Sequence, residues 1–405
     1  MSPRYKWYVV AMLWWIAFFN YADRQAIFSV FPLLKREFAL DTVQLGLLGS
    51  SFAWVYGLCA PLAGNIVDRV RRKTAILGGL QAWSLICMAT ATARSFPQLL
   101  FFRAAEGLGE TFYFPASMSL VSDYHHPETR SRALGFHQTS VYMGTIAGGF
   151  FAGLIGQYYG WRWSFIVFGG LGSVLGLILY RWLREPRRET SSDPMTKTAL
   201  VHIWSTLPAV LLMAAFLCAN FVALVLLSWM PSFLNERFHL SLAASGLAAT
   251  LFVQVASMMG CPLGGWAADA LRKKHPGGRM LVQATGLLCG APFVMLCGWT
   301  RSVFLLICAL IAWGFFKGLY DANIFASVYD VIRPEARGTA AGFMNMIGWL
   351  GGGAAPVVIG YVAKQSSLGF AISAAAVVYL AGAVLLIAAN LSVRKSAPAR
   401  AAVMN

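Results

Sequence analysis

Acidic residues are scarce. The chain has 16 Asp and Glu against 32 Lys and Arg in 405 residues, and charged side chains make up 12% of it. A water-soluble domain carries about a quarter of its residues as charges, so this charged fraction is too small to cover a soluble surface. Histidine is rare too, with six in all. The adjacent pair His125-His126 precedes Pro127 with no companion set of metal-ligating residues, which reads as a solvated loop. The seven cysteines (Cys59, Cys87, Cys218, Cys261, Cys289, Cys297, Cys308) fall inside apolar runs, and no two form a Cys-x-x-Cys pair. They read as small packing residues, not as a disulfide framework or metal cage. Nucleophile elbow, phosphate loop and zincin motifs are all missing. No catalytic residue and no metal ligand can be named, so an enzyme is not expected.

What the chain has in excess is apolar length. Hydrophobic residues make up 58% of it and the mean hydropathy is +0.62. Runs long enough to cross a bilayer, roughly 20 residues each, recur at about 7–33, 43–66, 74–93, 97–123, 132–157, 161–183, 203–233, 243–268, 280–299, 302–330, 338–363 and 369–392. The sequence also repeats itself. Pro61-Leu62-Ala63-Gly64 through Asp68-Arg69 is echoed 201 positions later by Pro262-Leu263-Gly264-Gly265 through Asp269-Ala270. Asp123, with Pro127-Glu128-Thr129-Arg130 after it, is echoed 207 positions later by Asp330 and Pro334-Glu335-Ala336-Arg337. A repeat of this length means two copies of one unit, and each copy holds six runs. The expected fold is all-α and integral to the membrane, with 12 transmembrane helices in two pseudo-symmetric six-helix bundles. The bundles are placed at 1–183 and 201–395, joined by a polar cytoplasmic linker at 184–200 and followed by a cytoplasmic tail at 396–405.

The net charge of +16 is distributed as topology. On one side of these spans lie only Lys35, Arg36, Arg94, Arg162, Arg237, Arg301 and Lys364. Most of the rest crowd the other side, in runs such as Arg69 to Lys73, Arg184 to Arg188 and Arg272 to Lys274. The positive-inside rule then puts both termini in the cytoplasm of a multi-pass inner-membrane protein. The excess charge suits anionic lipid, not nucleic acid. Arg4 and Lys6 ahead of an apolar run resemble a signal peptide, but the run carries polar residues and no clear cleavage site, so it reads as the first span.

Seven ionisable residues fall within spans, and each is a functional candidate because its burial in lipid is costly. Asp23 and Arg24 lie in the first span, Arg103, Glu106 and Glu110 in the fourth, Lys317 and Asp321 in the tenth. The spacing of Arg103, Glu106 and Glu110 puts them on one helix face, about 10 Å from end to end. With the first span they can form a buried network in which the two arginines grip a carboxylate-bearing solute and Asp23, Glu110 and Glu106 carry a proton. A static lock between the two spans is the alternative; five charges exceed what a lock requires. Lys317 and Asp321 have the spacing of an intrahelical pair, and by the 207-residue offset Lys317 is the counterpart of Glu110. It reads equally as a self-neutralised pair or as a solute contact. Tyr56 and Asn345 occupy positions in spans two and eleven suited to a cavity wall, and His137 and Gln138 in span five are polar enough to touch a solute, with bundle packing the equal alternative.

The repeated charges at span ends, Asp68 with Arg69, Asp123 with Arg130, Asp269, and Asp330 with Arg337, suit an inner gate, although single surface pairs are weak. Pro61, Pro115, Pro262 and Pro356 allow bends. The glycines of span five (Gly144, Gly148, Gly149, Gly153) and span eleven (Gly348, Gly351, Gly352, Gly353) read as close helix packing.

The stretch from Gly64 through Asp68-Arg69 to Arg72, its degenerate copy from Gly265 and the twelve-span layout resemble the major facilitator superfamily over almost the whole chain. Val70 departs from that motif, where Gly is common. Asn20-Tyr21-Ala22-Asp23-Arg24 is similar to the NYxDR stretch of the anion:cation symporters. Arg103 with Gly107, Glu110 and Phe114-Pro115, then Gly160-Trp161-Arg162-Trp163, and Ser228-Trp229-Met230-Pro231, fit the same family. The resemblance implies alternating access and proton symport of an organic anion such as a hexuronate, with Asp23 and Glu110 as proton carriers and Arg24 and Arg103 on the solute. Glu106, Lys317 and Asp321 are not part of that pattern. The spinster-like transporters of lysolipids share the same charges, and a non-transporting sensor on the scaffold is the remaining alternative. No cofactor is expected beyond the proton gradient. The partners expected are a small organic anion, protons and membrane lipids, with no nucleic acid, and the protein is expected to be a monomer.

Overall fold

A computed structural model describes residues 4–185, 197–333 and 336–404, apart from the side chains at 65, 68, 69, 127, 128, 131, 197–200 and 396–404. All regular structure among these residues is helical. In chain order the first half holds α1 (Tyr5–Ser29), α2 (Phe31–Phe38), α3 (Thr42–Arg69), α4 (Arg72–Thr90), α5 (Phe96–Glu110), α6 (Tyr113–Tyr124), α7 (Pro127–Tyr159) and α8 (Trp161–Trp182). The second holds α9 (Lys197–Ser205), α10 (Leu207–Phe238), α11 (Leu242–Arg272), α12 (Gly278–Trp299), α13 (Val303–Asp321), α14 (Ile324–Val331), α15 (Arg337–Gln365) and α16 (Leu368–Met404).

Nine of the spans, formed by α3, α7, α8, α10, α11, α12, α13 with α14, α15 and α16, are long and apolar enough to cross a membrane among the described residues. The other three expected spans are α1, α4 and α5 with α6. They fall below that threshold of length and composition, and they are also the helices that carry the buried polar side chains described below. The protein is a multi-pass membrane protein.

Two of the expected spans are broken. The fourth stops at Glu110 and restarts at Tyr113; the tenth stops at Asp321 and restarts at Ile324. The repeat is visible in the backbone as well. The turn closing α2 has Ala39 in the left-handed region at φ 50°, and the turn after α10 has His239 there at φ 54°, 200 positions on. Two residues after each, a side chain caps the next helix. Asp41 accepts from the Gln44 amide at 2.8 Å, and Ser241 from the Ala244 amide at 3.2 Å.

The chain forms two compact units. One contains α1 to α8 together with Leu227–Thr250; the other contains the chain up to Leu226 from the start of α9, and then Leu251 onwards. In the first unit α1 packs along α7, and α4 against α8 and α5. Its apolar core runs through Leu13, Ile16, Leu80, Trp83, Tyr113 and Leu120. In the second unit α12 is central, packed on α16 and α13.

Candidate functional site

The site lies inside the first unit, where α1, α3, α4 and α5 bring their polar side chains together. Close backbone approach makes this possible. Gly107 of α5 rests on the Phe52 carbonyl of α3, and an added Cβ there would lie 2.6 Å from that oxygen. Gly148 of α7 meets the Ala22 carbonyl of α1 in the same way, at 2.3 Å, which fixes the depth of the neighbouring Asp23 and Arg24. The matching approach in the second unit, Gly314 on the Val253 carbonyl, reproduces the 207- and 201-residue offsets.

Arg24 pairs with Glu110 through its Nε, and Arg103 donates from Nη1 to Glu106 Oε2 at 2.5 Å. All four side chains are buried. The Arg24 guanidinium is surrounded by three rings, 4.7 Å from Tyr21, 5.1 Å from Phe52 and 4.5 Å from Tyr56. Arg103 lies 4.8 Å from the other neighbour of Arg24, Phe52. Cation–π attraction of this kind is worth about 2 kcal/mol or more once desolvated, so the rings replace part of the hydration that each arginine loses. Asp23 is fully buried, and neither of its carboxyl oxygens has a hydrogen-bond partner among the described residues. The same holds for the Asn20 amide, one turn earlier on α1. A donor atom each from Asp23, Glu106 and Cys87 lie within 4.8 Å of one another, and the Cys87 thiol donates to the Phe165 carbonyl at 3.5 Å.

The structure therefore places Asp23, Arg24, Arg103, Glu106, Glu110 and Tyr56 in one cluster. The other candidate residues lie elsewhere. His137 is buried in the first unit, its Nε2 2.9 Å from the Tyr113 hydroxyl, while that hydroxyl donates to the Leu13 carbonyl. Tyr113 has one proton to give, so His137 is the donor between the two. Gln138, next to it on α7, is exposed. In the second unit Lys317 pairs with Asp321 one turn on, and Asn345 of α15 is half-buried. Phe316 near Lys317 stacks on Phe293 at 5.9 Å.

Among the gate residues, the side chains of Asp68 and Arg69 lie outside the described residues. Asp123 pairs with Arg72. Asp330 takes Arg272 at 2.9 Å and Arg279 at 3.3 Å, and Arg279 also reaches Asp269 at 2.9 Å. Arg130 and Arg337 do a different job in matching places. Arg130 donates to the Ser122 carbonyl at 3.2 Å, and Arg337 to the Tyr329 carbonyl at 3.2 Å, each eight residues back in the last turn of a helix.

Sequence reasoning passed over Phe52, Cys87 and Glu37. Phe52 precedes Tyr56 by four residues, which is one helix face, so its signal was available. Cys87 had none, because nothing in a lone apolar cysteine points to an acid neighbour. Glu37 accepts from Trp161 Nε1 and pairs with Arg162, both at 2.6 Å, which explains the Gly-Trp-Arg stretch as a lock between α2 and α8.

Nine membrane-length spans among the described residues, in two repeated halves with a cluster of buried charges in the first, have the build of a membrane transporter. The chain belongs to the Major Facilitator Superfamily, whose profile matches residues 13–356. It is 24% identical over 380 residues to a hexuronate transporter of Bacillus subtilis (strain 168), covering 90% of each chain. It is 30% identical over 403 residues to the human protein spinster homolog 1, covering 90% of this chain and 74% of that one. The crystal structure of a bacterial homologue of the human lysosomal transporter spinster, in an inward-facing and unoccupied conformation, has the same fold. It superposes with a TM-score of 0.81 at 22% identity, over 97% of both chains.

Proposed function

We propose that this transporter carries a small organic anion, such as a sugar acid, together with protons, by alternating access. The observation that carries this reading is the Arg24–Glu110 pair held among three aromatic rings beside the unpartnered Asp23. A guanidinium binds a solute carboxylate in the same geometry that it uses for Glu110. When solute takes Arg24, Glu110 exchanges its guanidinium partner for a proton. When solute leaves, Arg24 returns and the proton is released. Asp23 and Glu106 provide further places for that proton, and Arg103 holds Glu106 in position. The rings of Tyr21 and Tyr56 offer apolar faces to a sugar backbone. Lys317 and Asn345 are candidate contacts from the second half, while the bond between His137 and Tyr113 supports a packing role for His137.

The relative from Bacillus subtilis is a hexuronate transporter, which supports the solute class. The skewed distribution of Lys and Arg supports an inner-membrane location with both termini cytoplasmic. The protein works as a monomer in contact with membrane lipids, driven by the proton gradient without a cofactor, and the paired cations at the span ends serve as its inner gate. A second reading, movement of a lysolipid or related amphiphile, is favoured by the 30% identity to spinster homolog 1.

Proteoliposomes with a pH-sensitive dye and a panel of sugar acids, other carboxylates and lysolipids test both. A sugar acid should drive proton movement in wild type and fail to do so in Glu110→Gln. Movement with lysolipids alone would replace the solute class, and no proton movement with any compound would overturn the coupling.

A further inference from the structure

Two like charges share the centre of this site, and one ring is within reach of both. The Phe52 centroid is 5.1 Å from the Arg24 guanidinium and 4.8 Å from that of Arg103. Two guanidiniums placed so close in a low dielectric repel each other, whereas a ring's electron-rich face attracts both. Phe52 is held in that place from two directions. Tyr56 stacks on it at 6.0 Å with 15° between the planes, and Gly107 packs on its carbonyl.

The groups that accompany each arginine differ. Arg24, 8% exposed, is the more open of the two, with Tyr21 and Tyr56 about it and Glu110 as its partner. Arg103 is 1% exposed and bound to Glu106, which in turn neighbours Asp23 and Cys87, all three fully buried.

We infer that Phe52 is a partition residue: it confines the transported anion to Arg24 and reserves Arg103 for the sealed group of Glu106, Asp23 and Cys87. Solute and proton are then held at two separate guanidiniums that share one ring. Phe52 itself is a positioning residue, since it acts by keeping each guanidinium on its own carboxylate. The inference rests on the carrier reading only for the identity of what meets Arg24.

Its test needs no transport. An arginine-selective dicarbonyl reagent is applied to the purified full-length protein, and modification at each arginine is followed by mass spectrometry. In wild type Arg24 should label at least about tenfold faster than Arg103, because uncovering the more deeply sealed arginine costs about 1.4 kcal/mol or more. In Phe52→Ala the two rates should converge, and in Phe52→Tyr, which keeps the ring, the wild-type ratio should return. Phe52→Leu serves where the alanine variant does not yield folded protein. Equal labelling in wild type, or a ratio unchanged by loss of the ring, would overturn the partition. A purely structural role would lower the melting temperature in the ring-less variants without changing the ratio.

Labelling in the presence of a hexuronate separates the two ideas. Shielding of Arg24 alone supports both. An intact wild-type ratio, with no shielding by any sugar acid or other carboxylate, supports the partition and sinks the anion-carrier reading.

Discussion

Lys317 and Asp321 show how one pair of residues can be asked whether it locks or works. Both side chains are half-buried and joined across one helical turn. Removing one partner of a buried pair strands the other charge, which costs about 3–5 kcal/mol, whereas replacing both by neutral groups of similar size is often close to neutral. Partial exposure brings the first figure down, and the ordering survives. Asp321→Asn should therefore melt at a lower temperature than the double variant Lys317→Gln with Asp321→Asn. If the pair is only a lock, the double variant keeps wild-type uptake; if Lys317 touches solute, uptake in the double variant fails although stability is recovered. Thermal unfolding of both variants beside wild type, with uptake assayed in the same preparations, separates the cases.

At the scale of elements, helices end where a side chain or a backbone turn can satisfy the open carbonyls. Arg130 and Arg337 serve this purpose at the ends of α6 and α14, donating to last-turn carbonyls where the helix dipole also favours a cation. The two left-handed turns use a less suitable residue. Ala39 and His239 are exposed and hold positive φ, a conformation that costs an L-residue about 1 kcal/mol or more and costs glycine little. Ala39→Gly and His239→Gly should each raise stability by about 0.5 kcal/mol, after the extra freedom that glycine gives the unfolded chain is subtracted. A melting curve that moves down for either would show that the turn is fixed by contacts other than its own torsions.

The same elements show what could be read from the chain. Most of the runs and the two offsets were plain from hydropathy and repeated motifs, because a span that faces lipid must be apolar and satisfy its own backbone. Helices α1, α4 and α5 with α6 declare themselves less strongly because they carry buried polar side chains. The breaks after Glu110 and Asp321 were not plain, since Thr111-Phe112 and Ala322-Asn323 carry no proline or glycine to mark them. Within the site, the spacing of Arg103, Glu106 and Glu110 revealed one polar face. It could not say which carboxylate each arginine would choose, because Arg24 reaches Glu110 from another helix, 86 positions away. Nor could it show that the two cations at 130 and 337 cap helices, a role that depends on where α6 and α14 stop.

At the scale of the whole molecule, the candidate site lies in the first half, and a corner outside the membrane bears on stability against pH. His125 sits at the corner between α6 and α7, its Nε2 on the Lys6 carbonyl at 3.3 Å and its ring 4.8 Å from Trp7. Burial, helped by the nearby Lys6 charge, holds its proton affinity below the ordinary value of 6.5. A histidine with a lowered folded value is bound by more protons when the chain is unfolded. Its contribution is therefore intact above 6.5 and lost as pH falls from there towards the folded value. The melting temperature of wild type should fall on acidification below 6.5, and His125→Gln should show a smaller fall. An identical slope in the two proteins would remove His125 from the account.

The paired turns at Ala39 and His239 also set the two halves in one register. Counting 200 back from α10 sets Asn220-Phe221 on Asn20-Tyr21, and Ala223-Leu224 on Asp23-Arg24. The two copies share this bend, while one of them carries a buried acid and arginine and the other bears alanine and leucine in their place. The bend therefore belongs to the repeated unit, and the charge pair to one copy of it. A duplicated frame of this kind lets one half be altered at positions where its twin is held by buried charge.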